Sequence, residues 1–146
     1  MLYLCKKQII MKKSVLSVSD FLALEEELTK GEHCLLAQKL AMTTKYYLNS
    51  MLNNVKTETA LSNNIKDELI KKWGEEVDGN ISISLRIKNE EGEIINPNML
   101  KFQEEFLPVL NIEKELEHKD FKIEEFKDVS SEGYYPVFYK LLSIEP

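Results

Sequence analysis

The longest feature of the hydrophobic pattern is a stretch from Leu35 to Trp73 that holds neither Gly nor Pro. Leu36, Leu40, Tyr47, Met51, Val55, Leu61, Ile65, Leu69 and Trp73 recur mostly three or four positions apart. That spacing places them on one face of a helix. Lys71 and Lys72 sit where the last-turn carbonyls favour cations, and Gly74 supplies a stop. The pattern predicts one long helix, or a helical hairpin bent at the polar Thr57-Glu58-Thr59. A single helix of about 38 residues would span roughly 57 Å, more than the width of a compact domain of this size. Either it breaks near Thr57–Thr59 or part of it projects.

The period then changes. Ile81, Ile83, Leu85 and Ile87 alternate with Ser82, Ser84 and Arg86. This predicts a half-buried strand with Ile83 and Leu85 facing the core. Asn89-Glu90-Glu91-Gly92 reads as a turn and Glu93-Ile94-Ile95 as the returning strand. Upstream, residues 13–17 suit a short strand. Ser17 and Asp20 form a Ser-x-x-Asp cap before a short helix carrying Phe21, Leu22, Leu24 and Leu28, which Lys30-Gly31 ends. Downstream, Asn96-Pro97 opens a helix with Met99, Phe102, Phe106 and Leu110 inward, and Pro108 should kink or end it near Leu107. Alternation returns from Asn111 to Glu117, followed by a helical turn at Ile123–Phe126, a loop at Ser130–Gly133 and an aromatic tail, Tyr134–Ile144, that closes the fold as a helix. The reading is a single α+β domain over residues 13–146, mostly helical with a small antiparallel sheet. Residues 1–12 are read as an N-terminal extension, with either Met1 or Met11 as the natural start.

Charge separates along the chain. Residues 1–74 hold 11 Lys+Arg and 8 Asp+Glu, a balance of +3. Residues 75–146 hold 8 and 17, a balance of -9. An acidic second half repels phosphates, so nucleic acid is a poor partner. Lys6, Lys7, Lys12 and Lys13 interrupt the apolar start, which leaves no run long enough for a signal peptide or a membrane span. Two cysteines, Cys5 and Cys34, make a poor disulfide scaffold and suit a reducing, cytoplasmic setting.

Candidate chemistry is sparse. His33 and Cys34 are adjacent, but sequence neighbours do not face each other on a helix, and a triad needs a third orienting group. His118 lies among Glu113, Glu115, Glu117 and Asp120; on a strand the three glutamates share one face while the imidazole takes the other, which assembles no metal site. Glu75–Asn80 lacks the alternating ligands of a calcium loop and reads as a turn. Neither a metal, a cofactor nor a catalytic residue is assigned. Tyr46, Tyr47, Met51, Val55, Tyr134 and Tyr135 are the candidate interaction surface, because Tyr is favoured at protein contacts.

The order of features also carries a resemblance. Leu36-Ala37-Gln38-Lys39-Leu40-Ala41 opens the long helix and Lys71-Lys72-Trp73-Gly74-Glu75-Glu76 closes it. Then come Phe102-Gln103-Glu104-Glu105-Phe106, Leu110-Asn111-Ile112-Glu113 and an apolar segment from Val137 to Leu142. Over about residues 13–146 this resembles a family of small uncharacterised proteins encoded by phages of Gram-positive bacteria. The Ile81–Ile87 alternation and Pro108 depart from that family's pattern. The resemblance implies a phage or prophage origin and a non-enzymatic role. The expected function is therefore protein interaction, in virion assembly or on a host protein, in the host cytoplasm or with the virion. A phage or host protein, or a second copy, would be the partner. The rivals are an enzyme whose site is built from scattered residues and a nucleic-acid-binding accessory protein.

Overall fold

The computed structural model describes residues 9–142. Residues 1–8 of the N-terminal extension, including Cys5, and the last residues of the aromatic tail from Ser143 onward lie outside the described residues.

Strand β1 (Met11–Ser17) pairs antiparallel with the late strand β6 (Glu113–Lys119), in register from Met11↔Lys119 to Ser17↔Glu113. The amide of Asp120 donates to the Ile10 carbonyl at 2.8 Å, extending the ladder by one pair. The ladder thus takes in residues 10–12, which the sequence pattern assigned to an extension. Leu16 and Leu116 turn inward, while Val15, Glu113, Glu115 and Glu117 are exposed. Helix α1 (Val18–Thr29) starts where the Asp20 amide donates to Ser17 Oγ at 3.1 Å, the expected cap. It buries Val18, Phe21, Leu24 and Leu28 and ends before Gly31, whose φ of 82° needs a residue without Cβ.

The long helix, α2, runs from Met42 to Trp73 without a break, 32 residues or about 48 Å. Its start is later than the pattern implied. Leu35 and Leu40 are both buried, yet five positions apart they would diverge by about 140° on one helix. A 3₁₀ turn at Leu35–Ala37 and an extended segment bring both into the core. Gln38 holds this connection by donating to the Cys34 carbonyl (3.1 Å) and accepting from the Ser130 amide (3.0 Å). The bend anticipated at Thr57–Thr59 does not occur. Thr57 Oγ1 donates to the Asn53 carbonyl and Thr59 Oγ1 to that of Lys56, so neither hydroxyl competes for the helix amides. The buried stripe is Thr44, Leu48, Met51, Leu52, Val55, Thr59 and Ser62. Leu61 and Ile65, expected on it, are exposed.

The Ile81–Ile87 segment is not one half-buried strand. It divides between two hairpins, β2 (Glu75–Val77) with β3 (Asn80–Ser82), and β4 (Arg86–Asn89) with β5 (Gly92–Ile95). The first turns through Asp78 and Gly79, both at positive φ (51° and 83°), as a two-residue type I′ turn requires. The second turns at the expected place, with Asn89 Oδ1 accepting from the Glu91 amide. Asn96 explains the interruption between them. Its amide donates to the Leu85 carbonyl as the next rung of the β4–β5 ladder and its side chain donates to the Ser84 carbonyl, both at 2.9 Å, which attaches this backbone to the second hairpin and not to β3. Leu85 is consequently 57% exposed and Ile83 half-buried.

Asn96 also caps α3 (Pro97–Leu110), accepting from the Asn98 amide. Phe106 is buried; Met99, Phe102 and Leu110 are half-buried. The helix passes Pro108 and ends at Leu110, because Pro108 and Glu104, whose carbonyl loses its usual partner, are both exposed. After β6, a 3₁₀ turn at Ile123–Phe126 and the short helix α4 (Pro136–Lys140) complete the α+β fold. Phe121, Phe126 and Phe138 meet with ring centroids 5.0–5.9 Å apart and close the core over α1 and α2.

Two outcomes follow for stability, readable by urea denaturation. Leu48→Ala should cost about 2–5 kcal/mol because its side chain is fully buried, whereas Leu85→Asp should stay within about 0.5 kcal/mol of wild type. Ser62→Ala should stabilise by about 1 kcal/mol, since Ser62 Oγ is buried without a hydrogen-bond partner among the described residues.

Candidate interaction surface

The six sequence candidates separate into two sets. Met51, Val55 and Tyr135 are 1%, 0% and 1% exposed and belong to the chain's own core, so none can meet a partner directly. Met51 and Val55 fall on the α2 stripe that α1 and β6 cover, which corrects their reading as uncovered. Tyr46 and Tyr134 are 67% and 82% exposed, and Tyr47 is half-buried. Tyr46 and Tyr47 pack edge to face at 5.1 Å. Tyr47 lies under the Lys119 ammonium (5.5 Å), which is paired with Glu125 at 2.6 Å. Thr44 Oγ1 donates to the same carboxylate at 2.9 Å. Burial works to raise the Glu125 pKa, but the hydrogen bonds from Lys119, the Lys122 amide and Thr44 outweigh it and hold the carboxyl below its ordinary range.

Tyr134 lines a different cleft of about 320 Å³ with His33, Cys34, Glu27 and Glu132. The structure brings His33 and Cys34 to one rim, but His33 turns Nε2 to Glu132 (3.0 Å) and Glu32 (3.4 Å). Its carbonyl accepts the Tyr135 hydroxyl. Gly133 makes this contact sterically feasible, because a Cβ there would fall inside the Tyr135 phenol. Glu27 accepts the Val137 and Phe138 amides at the start of α4 (3.2 and 3.0 Å). Burial pushes its carboxyl above the ordinary value despite those amides. Glu27 and the Tyr135 hydroxyl thus hold the aromatic tail against α1.

His118 is 1% exposed and points opposite the exposed glutamates, as strand alternation required. Nδ1 lies 2.7 Å from the Lys119 carbonyl, which can only accept, so Nδ1 carries the proton. Nε2 therefore accepts from Ser14 Oγ at 2.7 Å, bridging β6 to β1. Burial lowers the pKa of this imidazole, with Lys12 adding to the effect. Among the described residues no group of three or more His, Cys, Asp or Glu side chains could hold a metal ion. Nor is any described helix long and apolar enough to cross a membrane.

The surface that sequence reasoning missed lies at the far end of α2. Trp73, Val77, Ile83 and Ile87 line one groove between the two hairpins, with Glu75, Ser82, Ser84 and Asn96 as its polar members. Val77 is 56% exposed and Ile87 37%. Glu105 of α3 fixes the floor by accepting from the Trp73 indole and from Lys72 Nζ, each at 2.7 Å. The hydrogen bonds from Lys72 and then Trp73 hold its carboxyl below the ordinary range. The alternation at Ile81–Ile87 was the available signal. It was legible as apolar, but not as uncovered.

The buried neutral His118 sets a pH dependence. Its folded pKa is below its unfolded value, so as pH falls through about 6.5 the unfolded chain takes up a proton that the native state resists. Melting temperature should fall from pH 7.5 towards pH 5, with a shallower fall in His118→Gln. Equal slopes would remove His118 as the cause. Gly133→Ala should destabilise by about 1–3 kcal/mol through displaced Tyr135.

No family model, curated protein or solved structure matches this chain.

Proposed function

We propose that this chain is a non-catalytic protein-interaction protein of phage type, acting in the host cytoplasm or with the virion, on a phage or host protein. One observation carries the reading. Val77, Ile81, Leu85, Ile87 and Ile95 remain 37–57% exposed on and between two hairpins at one end of the molecule, although Ile81, Leu85 and Ile87 alternate as a half-buried strand would. Exposed apolar groups gathered beside a fixed aromatic ring suit a protein contact better than solvent. The order of elements supports the phage origin, through its likeness to the small phage proteins. The His33 cleft is the place an enzyme reading would use, yet its Glu27 carboxylate and Tyr135 hydroxyl are engaged in holding α4, and the His33 imidazole faces Glu132 and Glu32.

The test is quantitative affinity capture from a phage-infected Gram-positive host with three baits. Wild type and His33→Ala should retain the same protein in stoichiometric amount, and Val77→Ser/Ile87→Ser should lose it. Failure of the wild type to retain any protein, or loss with folded His33→Ala alone, would overturn the reading.

A further inference from the structure

We infer that the groove between the two hairpins is a docking site for a basic segment of another protein, anchored by an aliphatic side chain; this rests on the protein-interaction reading above. The groove places Trp73, Val77, Ile83 and Ile87 around one concavity of about 30 Å³, room for the tip of one aliphatic side chain. The exposed flanks of Val77 and Ile87 extend the apolar contact beyond it. Glu105 accepts from the Trp73 indole and so orients the ring that lines the groove.

Charge decides the class of occupant. Residues 75–112 carry eight acids (Glu75, Glu76, Asp78, Glu90, Glu91, Glu93, Glu104, Glu105) against three bases (Arg86, Lys88, Lys101), and with Glu105 neutralised by Lys72 the balance is -4. Asp78 and Glu90–Glu91 sit in the two hairpin turns, and Glu75 and Glu76 on β2, next to the groove. Lys72, the nearest base on α2, is already paired with Glu105. A second copy meeting the groove face to face would set one such acidic surface against another. Nucleic acid would be repelled by the same field. A basic segment satisfies both features, its cations facing the hairpin carboxylates and its aliphatic side chain entering between Val77 and Ile87.

Trp73 is the only tryptophan and lines the groove, so its emission reports occupancy. The intact protein should be titrated with three short synthetic peptides, one of Lys and Leu, one of Glu and Leu, one of Lys and Ser. The Lys/Leu peptide alone should shift Trp73 emission saturably, and added salt should weaken it. Val77→Ser/Ile87→Ser should reduce its affinity about tenfold or more, and Glu75→Lys/Glu76→Lys should remove the preference over Glu/Leu. All four positions are exposed, and circular dichroism checks that the fold persists. Equal binding of Glu/Leu overturns the charge assignment, and an equal shift with Lys/Ser overturns the apolar anchor. A shift on raising protein concentration without peptide assigns the groove to a second copy instead. A captured partner that leaves Trp73 emission unchanged overturns this inference while the interaction reading stands. Absence of any captured partner strikes that broader reading, and the peptide titration still decides the groove.

Discussion

The β1–β6 ladder is the constraint on which the rest depends. It joins Met11 to Lys119, so everything from Val18 to Ile112 is one closed excursion between two paired strands. Closing a loop of that length costs about 4 kcal/mol in chain entropy beyond a constant. The ladder's backbone hydrogen bonds, which replace bonds to water, do not offset that by themselves. What does is the inner face, where Leu16, Leu116 and His118 are buried together with the adjacent Phe121. Each fully buried apolar side chain of this kind contributes about 1.5–3 kcal/mol. The Ser14–His118 hydrogen bond adds direction to that face, since a one-residue slip would place the imidazole and Leu116 in solvent and Glu115 and Glu117 in the core. Register, core and charge distribution are thus settled by the same seven pairs.

From that ladder the packing is uneven. The buried cluster draws on residues 16–55 and 116–142, where α1, the first half of α2 and the aromatic tail converge. Among the described residues between Ser62 and Leu116, only Asn96 and Phe106 reach the buried class. The outer third of α2, the two hairpins and α3 are held instead by discrete polar ties: Trp73 and Lys72 to Glu105, and Asn96 to Ser84 and Leu85. Regions with few buried apolar contacts open locally at lower free energy than the core. The same region carries the exposed apolar groove, so the surface available for a partner lies on the part of the fold least committed to internal packing.

Much of the local structure was legible from residue types with a fixed mechanical role. Ser17 and Asn96 as caps, Pro97 at a first turn, Gly31 and Gly74 as stops, and Asn89–Gly92 as a turn act within a few residues, and each does so in the structure. The α+β class follows from them. The departures come from contacts across the chain. Gln38 starts α2 late because it bridges to Ser130, 92 positions away. Asn96 divides the Ile81–Ile87 alternation because it bonds the backbone of Ser84 and Leu85. Periodicity states which residues are apolar, not whether another element arrives to cover them. For that reason Met51, Val55 and Tyr135 looked available and are buried, while Leu85 and Ile87 looked buried and are exposed.

The joint placement of acidic and apolar groups at one end has a physical logic. An exposed apolar groove on a neutral surface would favour contact between copies of the same chain. Glu75 lines it and Glu76, Asp78, Glu90, Glu91 and Glu93 lie on the same two hairpins, which opposes that contact, because identical surfaces bring identical charge. The same field acts at longer range than the apolar contact and speeds encounter with a surface of opposite sign. Neither group alone gives this selectivity: carboxylates without the groove would bind cations diffusely, and the groove without carboxylates would bind apolar surfaces of any charge. In this molecule the hairpin turns carry Asp78, Glu90 and Glu91, while strands β2 and β5 carry Glu75, Glu76 and Glu93 beside the aliphatic Val77, Ile94 and Ile95. Both halves of the selectivity are therefore built by the same two hairpins.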